Sequence, residues 1–163
     1  GRNASIFLDH GMHVTGIEIS ESAIQLSDQS KRKHFHIHHG SVIQMPFDDK
    51  LFDGIFCYAL IHLLNKNERK QLIRNCFKQL KPKGYMVFVA ISTKDRLYGK
   101  GKRLSENRFE ISNGLKVYFY TPETAAKEFN EFGLVEVTEI EEPIKHVKHE
   151  APLQCVMVMC EKR

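Results

Sequence analysis

The sequence predicts an α/β layer fold on three observations. Stretches with helical spacing alternate with strand-like stretches along the chain. Residues 85–91 (YMVFVAI) are almost continuously apolar, as expected of a strand in the middle of a parallel sheet. The last two strand-like stretches are joined by a segment without helical period, so they should pair antiparallel rather than through a crossover helix.

Composition fits this class. The chain has 163 residues, 42% hydrophobic and 27% charged, which suits one ordinary globular domain without a disulfide or metal staple. No apolar run approaches the ~20 residues of a membrane span. No basic-then-apolar secretory signal opens the sequence. These features argue against membrane, fibrous, collagenous and wholly disordered classes. A net charge of +4 is too weak by itself to imply nucleic acid. Cys57, Cys76, Cys155 and Cys160 form no CxxC pair and sit in apolar contexts, so they read as reduced core thiols of a cytoplasmic protein.

The elements follow in order. Residues 2–9 carry Ala4, Phe7 and Leu8 at helical spacing, and Gly11 terminates them. Residues 13–19 (HVTGIEI) form a short strand. Ser20 fits a helix N-cap, and Ala23, Ile24 and Ser27 lie along the helix it opens. Residues 34–39 are strand-like again, and 40–49 form a loop containing Met45, Pro46 and Phe47. Residues 52–58 (FDGIFCY) read as a buried strand. Asn65 is an N-cap with Glu68 three residues on, close to a capping box. The helix it opens buries Leu72, Ile73, Cys76, Phe77 and Leu80, and residues 81–84 (KPKG) stop it before the strand at 85–91. Residues 94–103 form a basic loop with two glycines. Residues 108–111 and 116–120 flank Ser112, Asn113 and Gly114 as a hairpin. Thr121-Pro122-Glu123 opens a helix with proline at its first position, running to about Phe132 and ending at Gly133. Strands at 134–140 and 153–160 close the sequence.

The most telling segment is 1–18. A glycine opens a helix, a strand follows, and Glu18 sits at the strand's end. A helix N-terminus offers free N–H groups and a positive dipole end to an anion. A carboxylate at the tip of the next strand can accept hydrogen bonds from both hydroxyls of a ribose. This pairing describes an adenosine-type cofactor, shared by nicotinamide and S-adenosylmethionine enzymes. Glu18 could also be a solvated strand end. Acids are depleted in strands, however, and this one is framed by Ile17 and Ile19, which favours the binding role.

The run GRNASIFLDHGMHVTGIEISESAI resembles the first motif of class I S-adenosylmethionine-dependent methyltransferases, from the last glycine of their glycine-rich loop onward. GSVIQMPFDDKLFDGIFCYALIHLL resembles the next two motifs, and LKPKGYMVFVA the turn and strand that follow. The resemblance covers nearly the whole chain, and its specificity lies in several motifs in the right order. It implies a doubly wound, mostly parallel, seven-stranded-type sheet with a C-terminal antiparallel pair. It also implies a single methyltransferase domain over 1–163 with a substrate-side insertion at about 94–120, and S-adenosylmethionine as cofactor. Carried over by position, Gly1, Arg2 and Asn3 lie near the methionine end of the cofactor. Glu18 holds the ribose, and Ile19 packs on the adenine. Gly40, Ser41 and Val42 border the adenine edge. Cys57, Tyr58 and Ala59 flank the methionine and sulfonium.

Two departures stand out. The family usually has Asp where Ser41 stands; a hydroxyl still accepts a hydrogen bond from the adenine amino group, more weakly than a carboxylate. The sequence also begins at the last glycine of the loop, so the family's first strand is expected upstream of Gly1.

Methyl transfer from a sulfonium needs mainly proximity and orientation, with a base only where the acceptor must lose a proton. Tyr58 is a candidate for shaping the sulfonium pocket by cation–π attraction, or equally a buried strand-end aromatic. His62 is a candidate base, though a packing histidine is the stronger reading. His34, His36 and His38 alternate along a strand and suit an exposed edge face better than a metal site, so no metal is expected. Lys94, Arg96, Lys100, Lys102 and Arg103 suit a solvated loop better than a contact with RNA phosphates. Tyr98, Phe109, Tyr118 or Tyr120 cover the acceptor pocket, or form only the core of the hairpin. The expected acceptor is a small molecule. The alternatives are an RNA or protein acceptor, or a nucleotide-binding protein without turnover. No membrane partner is expected, and the sequence leaves the oligomeric state open.

Overall fold

A computed structural model describes residues 2–26, 33–45, 49–142 and 152–163. Gly1, Ser27, Pro46 and Phe47 lie outside the described residues, as does most of the connection between the last two strands. The chain divides into two compact units, Gly1–Phe47 and Asp48–Arg163.

The first unit contains α1 (Arg2–Asp9), β1 (Val14–Glu18), α2 (Glu21–Leu26) and β2 (Phe35–His39). Gly11, at φ +76°, ends α1 in a left-handed turn. The Met12 N–H donates to the Phe7 carbonyl at 3.1 Å and the Gly11 N–H to the Leu8 carbonyl at 2.9 Å. Both bonds satisfy carbonyls that the helix end would otherwise leave unpaired. The chain reverses there, and β1 then pairs parallel with β2 in register from Val14↔Phe35 to Glu18↔His39. Ser20 caps α2 as expected, its Oγ accepting the Ala23 N–H at 3.3 Å.

The second unit begins with β3 (Phe52–Tyr58), α3 (Lys66–Gln79) and β4 (Leu80–Ile91). The capping box at Asn65 is complete. Its side chain accepts the Asn67 and Glu68 N–H groups, and Glu68 Oε2 accepts the Asn65 N–H at 2.7 Å. Leu72, Ile73 and Cys76 form the buried stripe of α3. Next come β5 (Lys102–Ser105), β6 (Arg108–Glu110), β7 (Lys116–Tyr118), α4 (Pro122–Phe129), β8 (Leu134–Glu142) and β9 (Leu153–Glu161). The order β3-β4-β9-β8 makes one four-stranded sheet, with β3 parallel to β4 and both other pairs antiparallel. The terminal pair is thus antiparallel, as its connection predicts. β5, β6 and β7 form a separate antiparallel sheet. Ile91, Phe109, Val117 and Phe119 make a buried cluster that joins the end of β4 to this small sheet.

The described strands hydrogen-bond as sheets of two, four and three, and the seven-strand count stays an expectation. Several expectations need correction. Residues 81–84 do stop α3, but β4 starts at once at Leu80 and contains them. Their backbone finds partners at the far end of β9: the Lys83 N–H donates to the Lys162 carbonyl at 2.6 Å, and the Lys162 N–H to the Gly84 carbonyl at 3.0 Å. The register slips between Phe52 and Gly54, and Lys83 at φ +64° absorbs the bulge. Within the basic loop, residues 102–105 form β5. All four side chains are exposed, so no burial alternation marks the strand in sequence.

Candidate functional site

In the first unit the expected adenosine-side residues cluster at one end of the β1–β2 pair. Glu18 and His39 are register partners at the C-terminal ends of parallel strands, and the Gly40 N–H donates to the Glu18 carbonyl at 3.0 Å. Gly40, Ser41 and Val42 therefore start beside Glu18 and Ile19. Glu18 is half-buried, and its Oε1 accepts the Ser20 N–H at 2.9 Å. That bond orients the carboxylate and leaves acceptor capacity for hydroxyl donors. Ile19 is an apolar side chain that is 70% exposed. Ser41 has a role the sequence did not reveal. Its Oγ accepts the Ile43 N–H at 3.3 Å and caps the single 3₁₀ turn Val42–Gln44. A hydroxyl has a second lone pair, so the cap leaves it able to accept from an amino group. Asn3 is half-buried in the first turn of α1. Because the chain reverses at Gly11, that turn lies toward the end of β1 that carries Glu18. Arg2 opens the same helix.

In the second unit Cys57, Tyr58, Ala59 and His62 follow one another out of β3 into the 3₁₀ turn Ile61–Leu63. Cys57 is buried, and burial pushes its thiol up to about 12, so it packs and does not react. Ala59 turns the chain with φ +54°, a left-handed conformation uncommon for a residue with a Cβ. Its N–H donates to the Val89 carbonyl at 2.9 Å, which holds it beside β4. Tyr58, Ala59 and His62 line a cavity of about 80 Å³ with Val89, Ala90, Ile91, Leu153 and Cys155. The His62 Nδ1 accepts the Ile91 N–H at 3.3 Å. Burial lowers its pKa to about 4, so the ring is neutral near pH 7.

Of the aromatic candidates, Phe109 and Tyr120 are buried, and Tyr98 meets Phe109 and Phe119 edge-on at 5.3 and 5.4 Å. Phe109 and Tyr98 pack in the hairpin core, Tyr120 bonds Glu128 instead, and neither they nor Tyr118 are among the residues that line the cavity. His34 and His36 are exposed and His38 half-buried. Among the described residues, no group of three or more metal-ligating side chains is placed to hold an ion. In the basic loop Lys94 pairs with Glu139.

Sequence reading missed the group that anchors the end of the 3₁₀ turn. Arg69 binds Glu128 through Nη2 at 2.7 Å and Nε at 3.0 Å, and its guanidinium lies 3.9 Å from the centre of the Tyr118 ring. The Tyr120 hydroxyl donates to Glu128 Oε2 at 2.7 Å. The Arg108 Nη1 donates to the Leu64 carbonyl at 2.9 Å, and the Arg69 Nη1 reaches the same oxygen at 3.4 Å. A signal was present: Arg69 lies on the stripe of Leu72, Ile73 and Cys76, and a charge on an apolar face needs a partner.

The fold is shared with known proteins. The chain superposes on a SAM-dependent methyltransferase of Methanosarcina mazei with a TM-score of 0.81 at 18% identity, covering 98% of this chain and 86% of the other. It also superposes on the 1,6-didemethyltoxoflavin-N1-methyltransferase of Burkholderia thailandensis, solved with bound 1,6-didemethyltoxoflavin and S-adenosylhomocysteine. There the TM-score is 0.75 at 16% identity, covering 99% and 66% of the two chains. In sequence it is 25% identical over 96 residues to a tRNA N(3)-methylcytidine methyltransferase of Drosophila melanogaster, across 57% of this chain. The chain spans only 30% of that relative's length. The family profile described as a methyltransferase domain matches residues 1–88, more than half of the sequence, and the chain belongs to that family.

Proposed function

We propose that this chain binds S-adenosylmethionine and transfers its methyl group to a small-molecule acceptor. The observation that carries the reading is the cluster at the ends of β1 and β2. There a half-buried carboxylate with spare acceptor capacity, an exposed Ile19 and the Gly40–Val42 backbone stand together. These are the groups an adenosine needs: an acceptor for ribose hydroxyls, an apolar face for the base, and polar backbone at its edge. Bound S-adenosylmethionine would supply a methyl group already activated by its positive sulfur.

In this reading Glu18 accepts from the ribose, Ile19 covers the adenine, and Gly40, Ser41 and Val42 border its edge. Gly1, Arg2 and Asn3 serve the methionine end, with Cys57, Tyr58 and Ala59 beside the methionine and sulfonium. Residues of about 94–120 form the substrate-side insertion. Four buried free thiols suit a reducing, cytoplasmic setting. An RNA acceptor is the second reading, favoured by the Drosophila relative and by the exposed Lys100, Lys102 and Arg103. Binding through those residues would weaken steeply with salt.

Calorimetric titration with S-adenosylhomocysteine, with NADH as control, tests the cofactor. Selective binding that Glu18→Ala abolishes is the expected result. Binding of NADH in place of S-adenosylhomocysteine would overturn the assignment.

A further inference from the structure

The cavity in the second unit suggests what part of the acceptor it receives, and this inference rests on the methyltransferase reading above. Its lining is apolar apart from Tyr58, His62 and the Cys155 thiol, and among the described residues no cationic side chain borders it. A backbone N–H can only donate, so the Ile91 N–H requires an unprotonated His62 Nδ1. The neutral ring must then carry its proton on Nε2. Among the described residues, Nε2 has no hydrogen-bond partner, and Gln79 Oε1 is the sole fully buried side-chain polar atom left unsatisfied. The Nε2–H is therefore a donor still open to a ligand.

We propose that His62 is a hydrogen-bond donor to a neutral carbonyl oxygen of the acceptor molecule, which the Tyr58–His62–Cys155 cavity receives. A neutral carbonyl suits it better than a carboxylate, because burying an anion against Val89, Ile91 and Leu153 is costly and no cationic side chain lines the cavity among the described residues. A space of about 80 Å³ takes the carbonyl end of a molecule and leaves the rest outside. As a donor locked in one tautomer, His62 does not remove a proton. The acceptor class this suits is a neutral amine or ring nitrogen near a carbonyl group: its lone pair forms the new N–C bond as the methyl–sulfur bond breaks, and any surplus N–H proton leaves to solvent afterwards. The burial that lowers the His62 pKa to about 4 keeps the donor neutral across physiological pH.

The test is long-range ¹H–¹⁵N NMR of the histidine side chains in the labelled protein, with His62 assigned by loss of its signals in His62→Gln. The expected result is a neutral Nε2–H tautomer from about pH 5.5 to about pH 8. Acetamide should shift Nε2 saturably and acetate should not. A proton on Nδ1, a titration near pH 6.5, no response to acetamide, or a larger response to acetate would each overturn the proposal. Parallel titration with S-adenosylhomocysteine separates the two readings. If that ligand fails to bind while the tautomer and acetamide response persist, the methyltransferase assignment fails and the donor assignment stands.

Discussion

Replacing Arg69 with alanine should cost the fold about 3 kcal/mol. The side chains of Arg69 and Glu128 are 4% and 15% exposed, so the pair is shielded from solvent screening. Alanine removes the Nη2 and Nε bonds to Glu128 at 2.7 and 3.0 Å, the longer contact with Leu64, and the stack on Tyr118. It leaves a carboxylate with only the Tyr120 hydroxyl, at 2.7 Å, to satisfy it. Breaking a buried pair from one side costs about 3–5 kcal/mol, and the slight opening at Glu128 points to the lower end. Urea unfolding gives the number from the shift in midpoint at constant slope. Arg69→Met combined with Glu128→Leu removes both charges and should recover about 2 kcal/mol relative to the summed single losses. The Tyr120 hydroxyl then lacks its acceptor, which holds back about 1 kcal/mol. A loss below about 1 kcal/mol for Arg69→Ala, or strict additivity in the double variant, would refute the buried-pair argument.

Other predictions follow from single sites. His62 ionises at about 4 when folded and at about 6.5 when unfolded, so the unfolded chain binds the extra proton between those values. Its contribution to stability is complete above about pH 6.5 and is lost as pH falls toward about 4, amounting to up to ~3 kcal/mol. Unfolding curves of the native protein should show this loss, and His62→Gln should lack it. Gly133 has φ +66°, and a Cβ there would lie 2.0 Å from the Glu161 carbonyl oxygen. Gly133→Ala should therefore lower stability by at least about 2 kcal/mol in urea unfolding; an unchanged midpoint would contradict the close approach. Burial raises the Cys57 thiol to about 12 and Cys76 higher still. Both should resist iodoacetamide at about pH 8 in the folded protein and react in urea, as read by mass spectrometry.

What the sequence made legible followed burial and backbone chemistry. Asn65, Glu68, Pro122 and Gly133 mark helix ends through bonds that depend on local spacing, so those boundaries were readable. The antiparallel terminal pair was readable because no helix fits between its strands. β5 was not, since its pairing with β6 uses backbone alone and all four side chains face water. The continuation of β4 through residues 81–84 depends on Lys162, some eighty positions away, and no local pattern reports such a partner. At the candidate site, Glu18 stood out because acids are depleted in strands, whereas Ile19 was named only through the family resemblance. The turn-capping role of Ser41 stayed hidden, because a single serine is compatible with many roles. The Arg69–Glu128 pair joins residues 59 positions apart, and only the misfit of Arg69 on an apolar stripe hinted at it.

Hydrogen exchange with and without S-adenosylhomocysteine tests the cofactor assignment most directly, because it reads the backbone at every assigned position at once. Slowed exchange is expected at residues 18–20 and 40–44 and at the end of β3. Protection confined to one of these groups, or appearing only elsewhere in the chain, would contradict it.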